Sequence, residues 1–291
     1  MGELERAAAE FEHARPRLFG IAYRMLGSIA DAEDVVQEAW IRWQGVNRET
    51  VREPVAFLTT ITTRLSINAL TSARVRRETY IGPWLPEPVS TEDDPSLGAE
   101  NTEALQYAVL ILLERLSPAE RAAYVLREAF DYPYDRIAEI VESSTAAARQ
   151  LVSRARKHVA AERRSSVAFG AQRRLLETFL AAARAGDTAA LEQLFAVDVV
   201  SRTDGNGVKL AARRPMSGRA RVAAFVASFS SHFWTGKTID TVVVNGQPGV
   251  ALREAGVITT LLTISASASG IDQLIWVMSP DKLGHVATTP R

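Results

Sequence analysis

The sequence predicts a multidomain protein in which two all-α domains precede an α+β domain. Three observations carry this. Apolar residues recur at helical spacing over 11–77 and again over 103–164. A proline-rich acidic stretch at 78–102 separates these blocks. After a short Ser/Gly joint at 165–170, strand-like runs replace most of the helices. The resulting segments are 1–77, 78–102, 103–164 and 171–291.

In the first block, Leu18, Ile21, Ala22, Met25 and Leu26 share one face of a helix that Gly27-Ser28 breaks. A second helix is expected from Asp31 as N-cap, with Glu33 and Asp34 in its first turn, where the helix dipole favours acids. Its inner face is Val35, Val36, Ala39, Trp40 and Trp43. Pro54 suits the first turn of a third helix, running to about Arg77 with Val55, Leu58, Ile61, Leu65 and Ala69 inward. The linker holds Trp84-Leu85 between prolines, and a tryptophan in a solvated linker would be odd, so this segment is expected to dock.

In the second block, Ser117-Pro118-Ala119-Glu120 is a capping box with proline at the first helical position. A short helix near 134–141, a polar Glu142-Ser143-Ser144 turn and a basic helix from Thr145 form a helix-turn-helix pattern. Helices at 172–185 and after Asp187 then lead into five strand-like runs, interrupted by a helix near 218–233, with a mostly antiparallel sheet expected.

Composition limits the function classes. The chain has 291 residues, 47% of them hydrophobic and 23% charged, as in ordinary globular proteins. No apolar run reaches the roughly 18 residues of a membrane span. The charged N-terminus lacks an apolar signal core, so the cytoplasm is the expected compartment. The absence of cysteine excludes disulfides and thiolate sites. The four histidines have no metal-ligand spacing, and no metal or cofactor is expected. Net charge is zero, yet acids cluster at 31–38 and 87–103 and bases at 64–77 and 149–164, which implies surfaces for different partners.

In a helix-turn-helix the start of the second helix faces base edges and later bases hold phosphates. Ser144, Thr145, Arg149 and Gln150 are therefore candidate base contacts, and Arg154, Arg156 and Lys157 candidate phosphate contacts; the alternative is a solvated basic face. Arg64, Asn68, Arg74 and Arg76, beside a loop with Asn47 and Arg48, form either a cradle for single-stranded DNA or another solvated surface. Asp31, Glu33, Asp34 and Glu38 would repel phosphate and suit a basic protein partner.

The run RLFGIAYRMLGSIADAEDVVQEAWIRW with EPVAFLTTITTRLSINAL resembles region 2 of extracytoplasmic-function (ECF) RNA polymerase sigma factors, of the sigma-70 family. LSPAERAAYVLREAFDYPYDRIAEIVESSTAAARQLVSRARKHV resembles their region 4. The resemblance implies a region 2 three-helix bundle and a region 4 helix-turn-helix. It also implies that Asp31, Glu33, Asp34, Gln37 and Glu38 bind core polymerase at the β′ clamp helices, with the β subunit a further partner. Residues 45–77, including Asn47, Arg48, Arg64, Asn68, Arg74 and Arg76, would read the −10 element. The helix at 145–158 would read the −35 element, and the linker would run toward the RNA exit path.

Trp84-Leu85-Pro86-Glu87-Pro88 and the C-terminal segment resemble the subgroup carrying an NTF2-like/SnoaL-like cone. Two loop motifs of that subgroup appear here altered, around Asp204, Gly205, Gly207 and Lys209 and at Asp281-Lys282-Leu283. These residues, with Trp84 and Leu85, are the expected interdomain regulatory contacts, and the protein is expected not to be an enzyme. Asp198, Asp204, His232, Glu254 and Trp276 are possible pocket-lining residues, and an unknown small molecule in that domain stays open. The competing functions are a ligand-responsive helix-turn-helix regulator and a SnoaL-like isomerase or cyclase fused to a DNA-binding module.

Overall fold

The computed structural model describes residues 3–91, 102–162 and 165–286. The acidic stretch from Glu92 to Glu100 and the pair Arg163-Arg164 lie outside the described residues, as do the side chains of Arg74 and Arg76. The chain divides into two compact units: Met1–Thr79 with Asp94–Glu162, and Tyr80–Asp93 with Arg163–Arg291. Both helical blocks thus share one unit, and the first part of the linker belongs to the other.

In the helical unit, α1 (Glu3–Leu26), α2 (Ile29–Gln44) and α3 (Pro54–Glu78) form the first bundle. Helix α1 starts earlier than the periodicity predicts, because Ala7, Phe11 and Ala14 extend its buried stripe toward the N-terminus. Helix α2 starts at Ile29 rather than after Asp31: the Ser28 hydroxyl accepts the Asp31 N–H, so Ser28 is the cap. Trp43 is fully buried and its indole N–H donates to the Ala7 carbonyl, while Trp40 packs on Phe11 with ring centroids 4.9 Å apart.

The inward face of α3 also differs from expectation. Of the expected stripe only Leu58 is fully buried; the buried set is Leu58, Thr59, Thr62, Thr63, Ser66, Leu70 and Ala73. Helix α3 packs against α1 and α2 and also against the second block, so its polar threonines are enclosed. Ser66 meets the cost by donating to the Thr62 carbonyl, and Thr59 by accepting from the Tyr132 hydroxyl.

The second block comprises α4 (Tyr107–Leu113), α5 (Pro118–Tyr124, continued by a wide π turn at Val125–Ala129), α6 (Tyr134–Ile140) and α7 (Thr145–Glu162). The Ser117/Glu120 capping box forms as the sequence predicts.

The C-terminal unit begins with α8 (Phe169–Ala185) and α9 (Thr188–Leu194), separated by Gly186 in the left-handed region. There follow β1 (Phe195–Asp204), the two-residue β2 (Met216–Ser217), α10 (Arg219–Ser228), β3 (Thr238–Val244), β4 (Gln247–Glu254), β5 (Val257–Ser267) and β6 (Gly270–Val277). They form one six-stranded sheet in the order β2-β1-β6-β5-β4-β3, antiparallel except for the β1–β6 pair. Register irregularities in β1, β5 and β6 bend the sheet, and Phe179, Phe195, Leu262, Leu274 and Trp276 belong to the core between it and the helices. This is the SnoaL-like α+β architecture that the sequence predicts.

Candidate functional site: nucleic-acid faces and a linker clasp

Helix α7 turns Ala148, Val152, Ala155 and Val159 inward. The same 3.6-residue period leaves Arg149, Gln150, Arg154, Arg156 and Lys157 exposed as one polar face. Ser144 caps the helix by accepting the Ala147 N–H at 3.1 Å, so part of its role is structural. Thr145 is half-buried beside it. The three arginines on this face are engaged within the helical unit. Arg154 pairs with Glu120 at 2.8 Å and Arg156 with Glu128 at 2.7 Å, while the Arg149 guanidinium lies 5.5 Å from the Tyr134 ring centre. Partial burial opposes ionisation of Glu120, but hydrogen bonds from Arg154 and Ser117 outweigh it and hold this carboxyl below its ordinary range.

In the first bundle Asn47, Arg64 and Asn68 are exposed, and Arg48 is half-buried at the start of a short 3-10 turn. Arg64 reaches the C-terminal end of α6. It donates to the carbonyls of Ile140 at 3.1 Å and Glu139 at 2.9 Å, and lies 3.1 Å from the Glu142 carboxylate. Helix α6 thus receives a cation where its dipole is negative. A second tie is Glu114, whose two carboxylate oxygens take Arg77 of α3 and Arg121 of α5. Arg121 also donates to the carbonyl of the buried Arg24. The helical unit therefore holds the −10 and −35 candidates on blocks tied to each other by arginines.

On α2, Glu33, Asp34 and Gln37 are exposed, Asp31 and Glu38 are half-buried, and Glu38 pairs with Arg42 one turn on. Ile41 is exposed next to them. An acidic surface with an apolar member is what a basic protein partner requires.

In the C-terminal unit the linker is gripped. Asp204, at the end of β1, is fully buried. Its carboxylate accepts from the Tyr80 hydroxyl at 2.5 Å, the Leu85 N–H at 2.8 Å and the Lys282 ammonium at 2.7 Å. Lys282 also donates to the Leu85 carbonyl and sits 4.1 Å from the Trp84 ring centre and 5.0 Å from that of Tyr80. Leu85 and Leu283 are buried beside this group. Burial and the Asp204 carboxylate both push the Tyr80 phenol well above its ordinary value. Farther along, the linker adds to the sheet edge: Thr91 N–H donates to Val243 O, Asn245 N–H to Val89 O, and Ser90 bridges Val244.

The glycines of the 205–211 loop have separate reasons. A Cβ on Gly205 would lie 2.1 Å from the Ala211 Cβ, and Gly207 has a φ of +91° beside Ile81. Lys209, expected among the contacts, is exposed instead; the lysine that reaches Asp204 is Lys282. Asp281 is exposed and acts on Tyr80 through its charge. Of the possible pocket-lining residues, only Trp276 lines an apolar pocket, whereas Asp198, His232 and Glu254 are exposed. Asp198 sits in the irregular part of β1 beside the exposed Val197, Glu254 at the end of β4, and His232 in a turn after α10. Sequence reasoning missed Tyr80, Glu114 and Asn245. Only Tyr80 carried a signal, as an aromatic residue at the start of a polar linker.

Among the described residues no group of His, Cys, Asp and Glu could hold a metal ion, and no helix is long and apolar enough to cross a membrane.

The geometry defines a DNA-binding protein with two dissimilar helical modules, and these are the two sigma-70 modules: Sigma-70 region 2 matches residues 11–76 and Sigma-70, region 4 matches 108–159. The chain is similar to ECF RNA polymerase sigma factor SigJ of Mycobacterium tuberculosis, 40% identical over 248 residues, covering 83% of this chain and 79% of the relative. It is also similar to the probable ECF sigma factor SigI of that organism, 30% identical over 288 residues and 97% of each chain. The crystal structure of SigJ superposes with a TM-score of 0.78 at 32% identity, covering 97% of this chain and 100% of the other. The chain belongs to the ECF RNA polymerase sigma factors. It is an alternative sigma factor for transcription initiation, which binds core RNA polymerase and promoter DNA.

Proposed function

We propose that this sigma factor is restrained by its own C-terminal unit, which grips the linker at 80–91. The observation that carries this is the Asp204 carboxylate, which takes one side-chain and one main-chain donor from the linker together with Lys282. Leu85 and Val89 cannot be buried here and run along the polymerase at once, so release of the clasp precedes full activity. The role of the unit is to hold, not to catalyse, since Asp204 is spent on the linker.

In the same reading the exposed acids of α2 dock on the β′ clamp helices and region 4 meets the β subunit. The α3 face with Asn47 and Arg48 takes the −10 element, and α7 takes the −35 element. Arg154, Arg156 and Arg64 exchange carboxylate and carbonyl partners for phosphate. The compartment is the cytoplasm, where the polymerase is.

The test is promoter-specific transcription with core polymerase, comparing the full chain with its Asp204→Ala variant. The expected result is transcription that depends on the chain and rises several-fold in the variant. Equal transcription from both overturns the restraint, and a fall assigns the clasp a supporting role instead.

A further inference from the structure

The C-terminal unit contains an apolar pocket with a cavity of about 40 Å³, which widens to about 430 Å³ of empty space when its open mouth is counted. Five aromatic rings line it: Phe225, Phe229, Phe233, Trp234 and Trp276. Phe233 stands edge-on to both Trp234 and Trp276, at centroid distances of 5.0 Å and 5.8 Å. An aromatic lining of this kind favours another flat ring, which can meet it edge-to-face or offset-stacked. Among the described residues no charged side chain lines it. One polar group stands out. The Trp234 indole N–H is buried without a hydrogen-bond partner among the described residues, whereas that of Trp276 donates to Ser201 at 3.2 Å. A buried unpaired donor is costly, and an acceptor on a bound molecule would remove the cost. The Lys237 ammonium, 4.5 Å from the Phe233 ring centre, disfavours a cationic occupant.

The pocket shares its wall with the clasp. Thr203 lines it and is followed directly by Asp204. Met278 lines it and donates its N–H to the Asp204 carbonyl at 2.6 Å. Leu210 lines the mouth from the same loop in which Gly207 lies against Ile81 of the linker.

The geometry points to a binding site for a small neutral bicyclic aromatic compound carrying one hydrogen-bond acceptor, whose occupancy is transmitted through Thr203, Met278 and Leu210 to the linker clasp. Its second half rests on the restraint proposed above. The test uses the full chain labelled with ¹⁵N at the indole nitrogens of its five tryptophans, assigned by single Trp→Phe variants, with 1-tetralone as probe. The expected result is a saturable shift of the Trp234 and Trp276 signals, accompanied by Trp84, with Trp40 and Trp43 unmoved. Leu210→Asp, a substitution at an exposed position, abolishes all three shifts while the spectrum without probe is retained. No shift at Trp234 and Trp276 up to the solubility of the probe overturns the site. A shift there with Trp84 unmoved overturns the transmission. A response to tetramethylammonium in place of 1-tetralone overturns the ligand class. The transcription test with Asp204→Ala uses no ligand, so failure of the restraint is read separately.

Discussion

The two units use charge in opposite ways. In the helical unit the arginines of the α7 pairs are open to water: Arg154 and Arg156 are 56% and 50% exposed, over carboxylates of Glu120 and Glu128 that are 16% and 26% exposed. In the C-terminal unit Asp204 and Lys282 are 0% and 6% exposed. An exposed ion pair is worth about 0–1 kcal/mol and is weakened by salt, so its arginine exchanges partners readily. Removing one member of a buried pair costs about 3–5 kcal/mol, because the other is left charged and unsolvated. The first arrangement suits a surface that must take up phosphate; the second suits a part that must hold until something acts on it.

The largest expected effect is on the clasp. Lys282→Met should destabilise the C-terminal unit by about 3–5 kcal/mol in urea unfolding. Adding Asp204→Leu should recover much of that loss, since an apolar pair replaces the ionic one. A single variant as stable as the parent would break the contrast between the units. Next comes Glu114→Gln, which leaves Arg77 and Arg121 without their shared carboxylate. Hydrogen bonds to charged groups contribute about 1.5–3 kcal/mol, and the urea midpoint of the helical unit should fall accordingly. Arg156→Ala should cost under about 1 kcal/mol of stability, yet weaken promoter binding and lower the salt slope by about 1. An unchanged slope would place Arg156 off the phosphates.

The smallest effect is a titration. Of the six tyrosines, Tyr80 should ionise last in an ultraviolet pH titration, above the ordinary value of about 10. Because its folded value is raised, its contribution to the clasp is present below about pH 10 and is lost as pH rises through the folded value. Ionisation together with the other tyrosines would mean that the phenol is not enclosed.

Much of this was legible in the sequence because it depends on local signals. The Ser117/Glu120 box, the polar turn before Thr145 and the periodicity of α7 report helix ends and faces directly, and the structure places them as predicted. Trp84 betrayed docking of the linker because an exposed indole is unfavourable. What was not legible depends on tertiary partners. The buried threonines of α3 read as a polar face until the second block covers them. Lys209 and Lys282 are both expected among the contacts, but only Lys282 reaches Asp204, since reach across a loop is fixed by the fold and not by spacing. Glu114 has no local feature to distinguish it from any helix-end acid.

The most direct test of the clasp is amide hydrogen exchange across residues 80–91 of the full chain, compared with Asp204→Ala. The Leu85 amide, bonded to the Asp204 carboxylate, and the Thr91 amide, bonded to Val243, should both be strongly protected in the parent. In the variant Leu85 should lose its protection altogether, while the amides of β5 and β6 stay protected, exchanging faster only by as much as the unit loses stability. Exchange at Leu85 as fast in the parent as in an unstructured peptide would contradict the account.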